Sequence, residues 1–305
     1  MLVAGAAISY SPLLYRQREH WSALHALLTG SAVQPGALAA ETAGLLDAYA
    51  QRIDDGFGAV RDTFLKAGLD ALVVLVSDSR RIFDATNTPQ VHVLVADDIW
   101  GDPARAALGE PPRRVSLPCD AGVANLIAEE LAYAGFDISE SRGRFRPVGD
   151  AERGAGPALI EPVVRLGLAL PIVPIHINAF VDPCISGHRM TPLGVALADA
   201  LALTPARIGI LASGGLSGDP EGYMAGWIDD VLDTWVLDRL RTGRSHHLAR
   251  IFEVESLTLR GSTREVRLWA AAGAAMERVH ARAHLIDYMP LHHAAAGTAF
   301  MTWEN

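Results

Sequence analysis

Continuous apolar runs alternate along the chain with segments in which apolar residues recur every three or four positions. Continuous β-branched and aliphatic runs are typical of strands that are buried on both faces. Such runs predict strands over residues 2–9, 70–77, 91–96, 170–178 and 207–212. Two prolines inside the run 170–178 indicate a strand that is bent or lies at an edge of the sheet.

Segments with helical periodicity separate or follow these runs. They predict helices over residues 36–67, 120–134, 191–203, 223–241 and 265–281. The first places Leu46, Tyr49 and Ile53 on one face, and Gly135 follows the second as a stop signal. Strands that alternate with helices favour an α/β fold, here one domain over residues 1–305 with a central mixed β-sheet flanked by helices.

Composition and charge narrow the classes of function. The chain has 305 residues, 50 % of them hydrophobic and 20 % charged, which is typical of a globular protein with a sizeable core. A net charge of −9 argues against nucleic acid as a partner. Cys119 and Cys184 lie far apart and fit a reducing compartment. No secretory signal or transmembrane run is apparent, so we expect a cytoplasmic protein with no membrane partner.

Three polar loops carry the candidate chemistry. Ser9-Tyr10-Ser11-Pro12 follows the first predicted strand, and Ser-Gly-Gly-Leu-Ser (213–217) ends the last one. Glu265 stands one helical turn before Trp269, at the start of the last predicted helix. In open α/β sheets ligands bind beyond the strand ends, where the sheet fixes the loops. We therefore expect these loops to form a pocket.

The order and spacing of several motifs resemble the class III extradiol dioxygenases, typified by the catalytic subunit of protocatechuate 4,5-dioxygenase. The motifs are Ser9-x-Ser-Pro, Val-Ser-Asp-Ser (76–79), Asn87-Thr-Pro, residues 171–178, Ser-Gly-Gly-Leu-Ser (213–217), Glu265-Val-Arg-Leu-Trp and Gly297-Thr-Ala. The resemblance implies an α/β fold with a pocket at the strand ends. It also implies a non-haem Fe(II) site of two histidines and one carboxylate, with positions open for a diol and dioxygen.

Matched position by position, the resemblance places Tyr10 and Ser79 where the family has its two metal histidines, and Glu265 at the third ligand. Gly218 stands where the family has its catalytic base. A further active-site histidine has its nearest match in the segment 152–154. A seryl hydroxyl and a phenol with a reference pKa of about 10 are poor ligands for divalent iron. We therefore expect no metal cofactor, or Fe(II) only if other ligands replace the histidines.

Other side chains have both a functional and a structural interpretation. His292 and His293 are the best replacement ligands, because that segment lies close to the pocket in the related enzymes. Arg80, with Arg81, could bind a carboxylate or simply form a solvated turn. Glu265 could be a first-turn carboxylate that the helix dipole favours. Ser79 could cap a turn. Tyr10 could fill the volume of a histidine and its metal. Gly218 could be present only because the turn needs the conformational freedom of glycine.

These residues leave three hypotheses within aromatic-compound metabolism. The chain is a non-catalytic subunit that pairs with a catalytic paralogue, or a homo-oligomer, and its pocket binds a small aromatic ligand. Alternatively it is a repurposed enzyme in which Tyr10 and Glu265 act as acid and base without a metal. The third hypothesis is an active extradiol dioxygenase with rebuilt ligands such as His292 or His293. The candidate substrate-binding residues of the pocket are Ser79, Arg80, Gly218, His292 and His293.

Overall fold

The computed structural model describes residues 1–78, 82–83, 87–142 and 154–304. The strands are β1 (Leu2–Ile8), β2 (Ala71–Val76), β3 (Val91–Val95), β4 (Asp98–Gly101), β5 (Val115–Pro118), β6 (Ser139–Arg142), β7 (Ile172–Ile177), β8 (Ile208–Ser213), β9 (Arg282–Leu291) and β10 (Ala296–Glu304). The α-helices are α1 (Trp21–Thr29), α2 (Ala43–Ala67), α3 (Ala121–Tyr133), α4 (Pro157–Leu166), α5 (Met190–Leu201), α6 (Asp230–Arg241) and α7 (Val266–Arg278).

Within the described residues, eight strands form one mixed sheet in the order β6-β3-β7-β2-β8-β1-β10-β9, and β4 pairs with β5 separately. Its centre is parallel, because β7, β2, β8 and β1 run in the same direction. Antiparallel pairs join β3 to β7 on one side and β10 to β1 on the other. The carboxyl ends of the four central strands therefore meet at one edge of the sheet.

Helices cover both faces of the sheet and enclose two hydrophobic cores. One core includes Val73 and Leu75 of β2 and packs against α3, α5, α6 and α7. The other includes Leu72 and Val74 of the same strand and packs against α1, α2 and α4. Successive residues of β2 point to opposite faces and all are buried, which explains its continuous apolar run. The predicted fold class, an α/β domain with a central mixed sheet, is confirmed. No helix among these residues is long and apolar enough to cross a membrane.

The prolines of residues 170–178 indicate a bent strand or an edge strand, and the edge alternative is wrong. β7 lies inside the sheet, between β2 and β3. Its antiparallel pairing with β3 ends at Ile175, so Pro174 lies beyond that ladder. An interior strand tolerates a proline where the neighbouring strand no longer needs its N–H.

Two helices begin later than the sequence predicts. α2 begins at Ala43, because the side chain of Thr42 caps it by accepting a hydrogen bond from the Leu45 N–H, and a short 3-10 turn covers Gly36–Ala40. α6 begins at Asp230, where the Asp229 carboxylate accepts from the Leu232 N–H at 2.9 Å. The sequence analysis predicted no element over residues 282–304, where β9 and β10 extend the sheet.

Candidate functional site

A cavity of about 470 Å³ lies beyond the carboxyl ends of β1, β2 and β8. Its polar lining includes Tyr10, Ser77, Arg105, Asp219, Ser262 and Glu265. Tyr10 is the second residue after β1, Ser77 directly follows β2, and Glu265 directly precedes α7. The cavity is therefore formed by side chains that the sheet and the start of a helix hold in place.

Glu265 forms the buried floor of this arrangement. Its carboxylate accepts hydrogen bonds from the Ser77 hydroxyl and, at 2.9 Å, from the Gly215 N–H. Burial raises the pKa of Glu265 to about 7, while the two hydrogen bonds act in the opposite direction. A carboxyl group with such a pKa exchanges a proton near neutral pH.

The Ser-Gly-Gly-Leu-Ser turn wraps around the Glu265 side chain. A Cβ atom at Gly214 would stand 2.8 Å from the Glu265 carboxyl carbon, and one at Gly215 would stand 2.8 Å from the Val266 nitrogen. The Trp269 indole N–H donates to the Gly214 carbonyl at 2.5 Å. The glycine turn and the Glu265–Trp269 motif, fifty residues apart in the sequence, are thus one packed unit.

Tyr10 points its hydroxyl at a second buried carboxylate. The Tyr10 hydroxyl donates to Glu161 Oε2 at 2.7 Å, and Arg16 forms an ion pair with Oε1 of the same carboxylate. Burial, and next the charge of Glu161, raise the pKa of Tyr10 well above its ordinary value. Tyr10 is therefore a neutral hydrogen-bond donor at physiological pH.

Glu161 and Arg105 are site residues that the sequence analysis missed. Glu161 lies on α4, a short helix with an internal proline that gave no clear periodic signal. Arg105 lies in the loop between β4 and β5 and lines the cavity. The several arginines between Gly101 and Arg114 were the available signal, but nothing in the sequence distinguishes one from another.

Residues 47–301 match the family model described as the catalytic LigB subunit of aromatic ring-opening dioxygenase. The match covers most of the chain and includes Ser77, Arg105, Glu161 and Glu265. The chain belongs to the LigB family. The resemblance to class III extradiol dioxygenases is thereby confirmed at the level of the family.

Individual relatives match this LigB-family chain over shorter segments. A segment of 107 residues, 34% of the chain, is 37% identical to a 2,3-dihydroxyphenylpropionate/2,3-dihydroxicinnamic acid 1,2-dioxygenase of Mycolicibacterium smegmatis and covers 31% of it. An enzyme of the same name from Mycobacterium sp. (strain MCS) is 31% identical over 101 residues, 32% of this chain and 29% of that enzyme. The matching segments thus span less than a third of these relatives.

A solved structure also resembles the LigB-family chain. It is that of an uncharacterized protein from Escherichia coli K12, with 14% sequence identity and a TM-score of 0.49. The alignment covers 98% of this chain and 99% of that protein.

The remaining residues of the family pattern are placed as follows. Gly218 does not line the cavity, and a Cβ atom there would stand 2.6 Å from the Ala295 carbonyl oxygen, so the backbone leaves no room for a side chain. Ser79, Arg80 and Arg81 lie outside the described residues, as do Glu152 and Arg153.

His292 and His293 lie beside Glu41 and do not line the cavity. The Glu41 carboxylate accepts from the His292 N–H at 2.6 Å and from the His293 N–H at 2.9 Å. His293 also places its ring nitrogen Nδ1 2.5 Å from Glu41, and its ring packs against His25 at a centroid distance of 5.4 Å. These contacts tie the start of α2 to the turn before β10.

Asp233 anchors the far end of the glycine turn in this LigB-family chain. Its carboxylate accepts from the Ser217 N–H and hydroxyl, both at 2.8 Å, and from the Tyr288 hydroxyl at 3.0 Å. Burial raises the pKa of Asp233 to about 6 against these hydrogen bonds. Ser217 therefore has a structural contact that joins the turn to α6 and β9.

Proposed function

We propose that this LigB-family chain binds a small phenolic acid in the cavity between Tyr10 and Glu265, and that it does so without the two-histidine Fe(II) centre of extradiol ring cleavage. One observation carries the proposal. The Tyr10 phenol, matched to the first ligand position of the family, donates a hydrogen bond to Glu161, and Glu265, matched to the third position, accepts hydrogen bonds from Ser77 and Gly215.

The chemistry of these donors supports the absence of that centre. Extradiol-type sites need two neutral imidazoles and one free carboxylate. To bind iron, Tyr10 would have to lose its hydroxyl proton. Burial and the charge of Glu161 both raise the pKa of Tyr10 and so favour the protonated form. Among residues 1–78, 82–83, 87–142 and 154–304, no group of three or more histidine, cysteine or acidic side chains is arranged to hold a metal. At the second position, Ser79 offers only a hydroxyl.

The class of ligand follows from the cavity and from the relatives. A volume of about 470 Å³ suits a single aromatic ring with a short side chain. Phe180 lines the cavity beside hydroxyl and carboxyl groups that can bind a phenol. The named relatives act on dihydroxyphenylpropionate and dihydroxycinnamic acid. We infer that the ligand is a hydroxylated phenyl acid of this kind.

A binding role without ring cleavage fits a subunit that works with a catalytic partner. The family description itself refers to a catalytic subunit. We propose that this chain acts in the cytoplasm in aromatic-compound metabolism, beside a catalytic LigB-family paralogue or as a homo-oligomer.

A second candidate function is supported by the proton chemistry of Glu265. Its pKa of about 7 and its place on the cavity wall suit a general acid or base, and the neutral Tyr10 hydroxyl could donate a hydrogen bond to the ligand. This would be a metal-independent reaction on a phenolic acid.

The deciding experiment combines metal loading with ligand binding. The purified chain is incubated anaerobically with Fe(II), desalted, and analysed for iron, for binding of 2,3-dihydroxyphenylpropionate by calorimetry, and for ring cleavage by absorbance. We expect well below one iron per chain, measurable binding and no cleavage. Stoichiometric iron together with ring cleavage by the isolated chain would refute the proposal.

The second candidate is tested by paired substitutions. If a reaction on a phenolic acid is detected, Tyr10→Phe and Glu265→Gln should each reduce its rate by roughly 100-fold, as expected for loss of a general acid or base. Tyr133→Phe and Glu255→Gln, at exposed positions, are the matched controls. Unchanged rates in the two cavity variants would exclude the acid–base role.

A further inference from the structure

We propose that Arg105 binds the carboxylate of the aromatic acid and so fixes the orientation of the ligand in the cavity. This inference rests on the proposed function and adds to it a specific binding residue and an anionic ligand.

The loop that carries Arg105 is held in one conformation by its own hydrogen bonds. The Arg105 N–H donates to Glu110 Oε2 at 2.8 Å, and the Leu108 N–H donates to the Arg105 carbonyl at 2.9 Å. Asp102 accepts from the Ala104 N–H at 2.8 Å. The loop is also attached to the site, because Arg16 donates to the Pro103 carbonyl at 3.0 Å. The backbone of Arg105 is therefore held in place before any ligand binds, which reduces the entropy that the loop loses on binding.

The two carboxylates that interact most closely with Arg105 are already bound by other side chains. Arg16 Nε and Nη2 donate to the two oxygens of Glu110 at 2.5 and 3.0 Å. Arg16 Nη1 also pairs with Oε1 of Glu161, while the Tyr10 hydroxyl occupies Oε2. Arg16 thus binds both carboxylates that would otherwise compete for the Arg105 side chain.

One hydrogen-bond donor of the Arg105 side chain consequently remains without an acceptor. Its Nε atom is buried and, among the described residues, has no hydrogen-bond partner. A buried donor without a partner is unfavourable, and an incoming acceptor would relieve that cost. Arg105 lines the cavity, so the missing acceptor can come from a ligand.

The charges around the cavity favour a carboxylate over a more highly charged group. Burial raises the pKa of Glu161, and the charge and hydrogen bond of Arg16, the hydrogen bond of Tyr10 and the charge of Arg105 act against that increase, so the Arg105 cation lies within electrostatic range of Glu161. Arg105 is accompanied on the cavity wall by the acidic residues Asp219, Glu221 and Glu265. One arginine among several acidic groups suits a single negative charge, and its planar fork matches the two oxygens of a carboxylate.

The test compares an acid with its neutral analogue in matched variants. Binding of 2,3-dihydroxyphenylpropionate, of its carboxamide and of a phosphonate analogue is measured by calorimetry for the wild type, Arg105→Gln, Arg105→Lys and Arg113→Gln. Arg113 lies in the same loop but is exposed and does not line this cavity, so it controls for loss of charge alone.

We expect Arg105→Gln to weaken binding of the acid by roughly 10- to 100-fold and to leave the carboxamide nearly unchanged. Arg105→Lys should recover part of the loss, because it keeps the charge without the fork. Arg113→Gln should bind all ligands as the wild type does, and the phosphonate should bind less tightly than the acid. Thermal unfolding of each variant verifies that it is folded.

The outcomes separate this inference from the proposed function. If the wild type binds the acid and the carboxamide equally well, or if Arg105→Gln binds the acid as tightly as the wild type, the role of Arg105 is refuted while the phenol-binding cavity stands. If the wild type binds none of the three ligands, both the proposed function and this inference fall.

Discussion

Tyr10, which lines the cavity, and Arg16 both bind the carboxylate of Glu161. Each takes one oxygen: the Tyr10 hydroxyl donates to Oε2 and Arg16 pairs with Oε1. Glu161 is 4 % exposed, so water supplies little of its solvation. A buried carboxylate depends on such partners, because an unsatisfied charge is costly. The Tyr10 phenol is therefore also a structural hydrogen-bond donor.

Removal of that donor should destabilise the fold. Tyr10→Phe leaves Oε2 of Glu161 without its hydrogen bond, and we expect the free energy of unfolding to fall by about 1–3 kcal/mol. Urea unfolding at neutral pH measures the change. Tyr133→Phe, at a side chain that is 85% exposed, is the control and should change stability by less than about 0.5 kcal/mol. Equal stability of Tyr10→Phe and wild type would show that Glu161 does not need the phenol.

At the scale of elements, two glycines in α2 serve different purposes. Gly56 faces β10, and a Cβ atom there would stand 2.5 Å from the ring of Phe300, which is fully buried. Gly58 has no atom within 4 Å of such a position. The helix thus approaches the sheet closely at Gly56 and has no room there for a side chain. At Gly58 a side chain would meet no neighbouring atom.

The two glycines predict opposite effects of the same substitution. Gly56→Ala should lower the free energy of unfolding by about 1–3 kcal/mol, because Phe300 has no room to shift. Gly58→Ala should raise it by about 0.5–1 kcal/mol through the better helix propensity of alanine. Denaturant unfolding of both variants provides an internal control. Similar changes in both variants would contradict the close approach of α2 to β10.

At the scale of the whole molecule, a pair of buried histidines connects neighbouring strands of the sheet. His92 of β3 and His176 of β7 lie opposite each other, with their Nδ1 atoms 3.4 Å apart. Burial, and for His92 also the neighbouring His176, lower the pKa values of His92 and His176 to about 3 and about 4. His176 is buried in the core, with 4% of its surface exposed.

This pair should make the global stability depend on pH. Above the unfolded pKa of about 6.5 both states are neutral, and below it the unfolded chain takes up protons that the folded chain does not. Stability is therefore lost as the pH falls from about 6.5 towards 4. Removal of one histidine by His176→Gln should reduce the slope of the unfolding free energy by about 1.4 kcal/mol per pH unit in that range.

The slope is measured by urea unfolding at several pH values between 7 and about 4.5. His284→Gln, at an exposed histidine of β9, should keep the wild-type slope. A slope that His176→Gln leaves unchanged would mean that the pair is protonated in the folded state.

The fold class and the positions of five of the ten described strands, β1, β2, β3, β7 and β8, could be predicted from the sequence because these strands are buried on both faces. Their continuous apolar runs record that burial directly, as in β2. β9 could not be predicted in this way, since it forms an edge of the sheet with a mixed burial pattern, and β10 escaped prediction too. The interior position of β7 was also missed, because proline content reports on hydrogen bonding along one strand and not on which strands lie beside it.

For the site, the sequence by itself determined the resemblance to the family and supplied Tyr10, Gly218 and Glu265 as candidate residues among the described ones. Only the tertiary structure showed that Glu161 faces Tyr10, that Gly215 and Ser77 hold Glu265, and that Arg105 lines the cavity with a donor unused. The physical reason is distance along the chain. Glu161 and Tyr10 are 151 residues apart, and no local pattern encodes a contact that forms only when separate elements pack together.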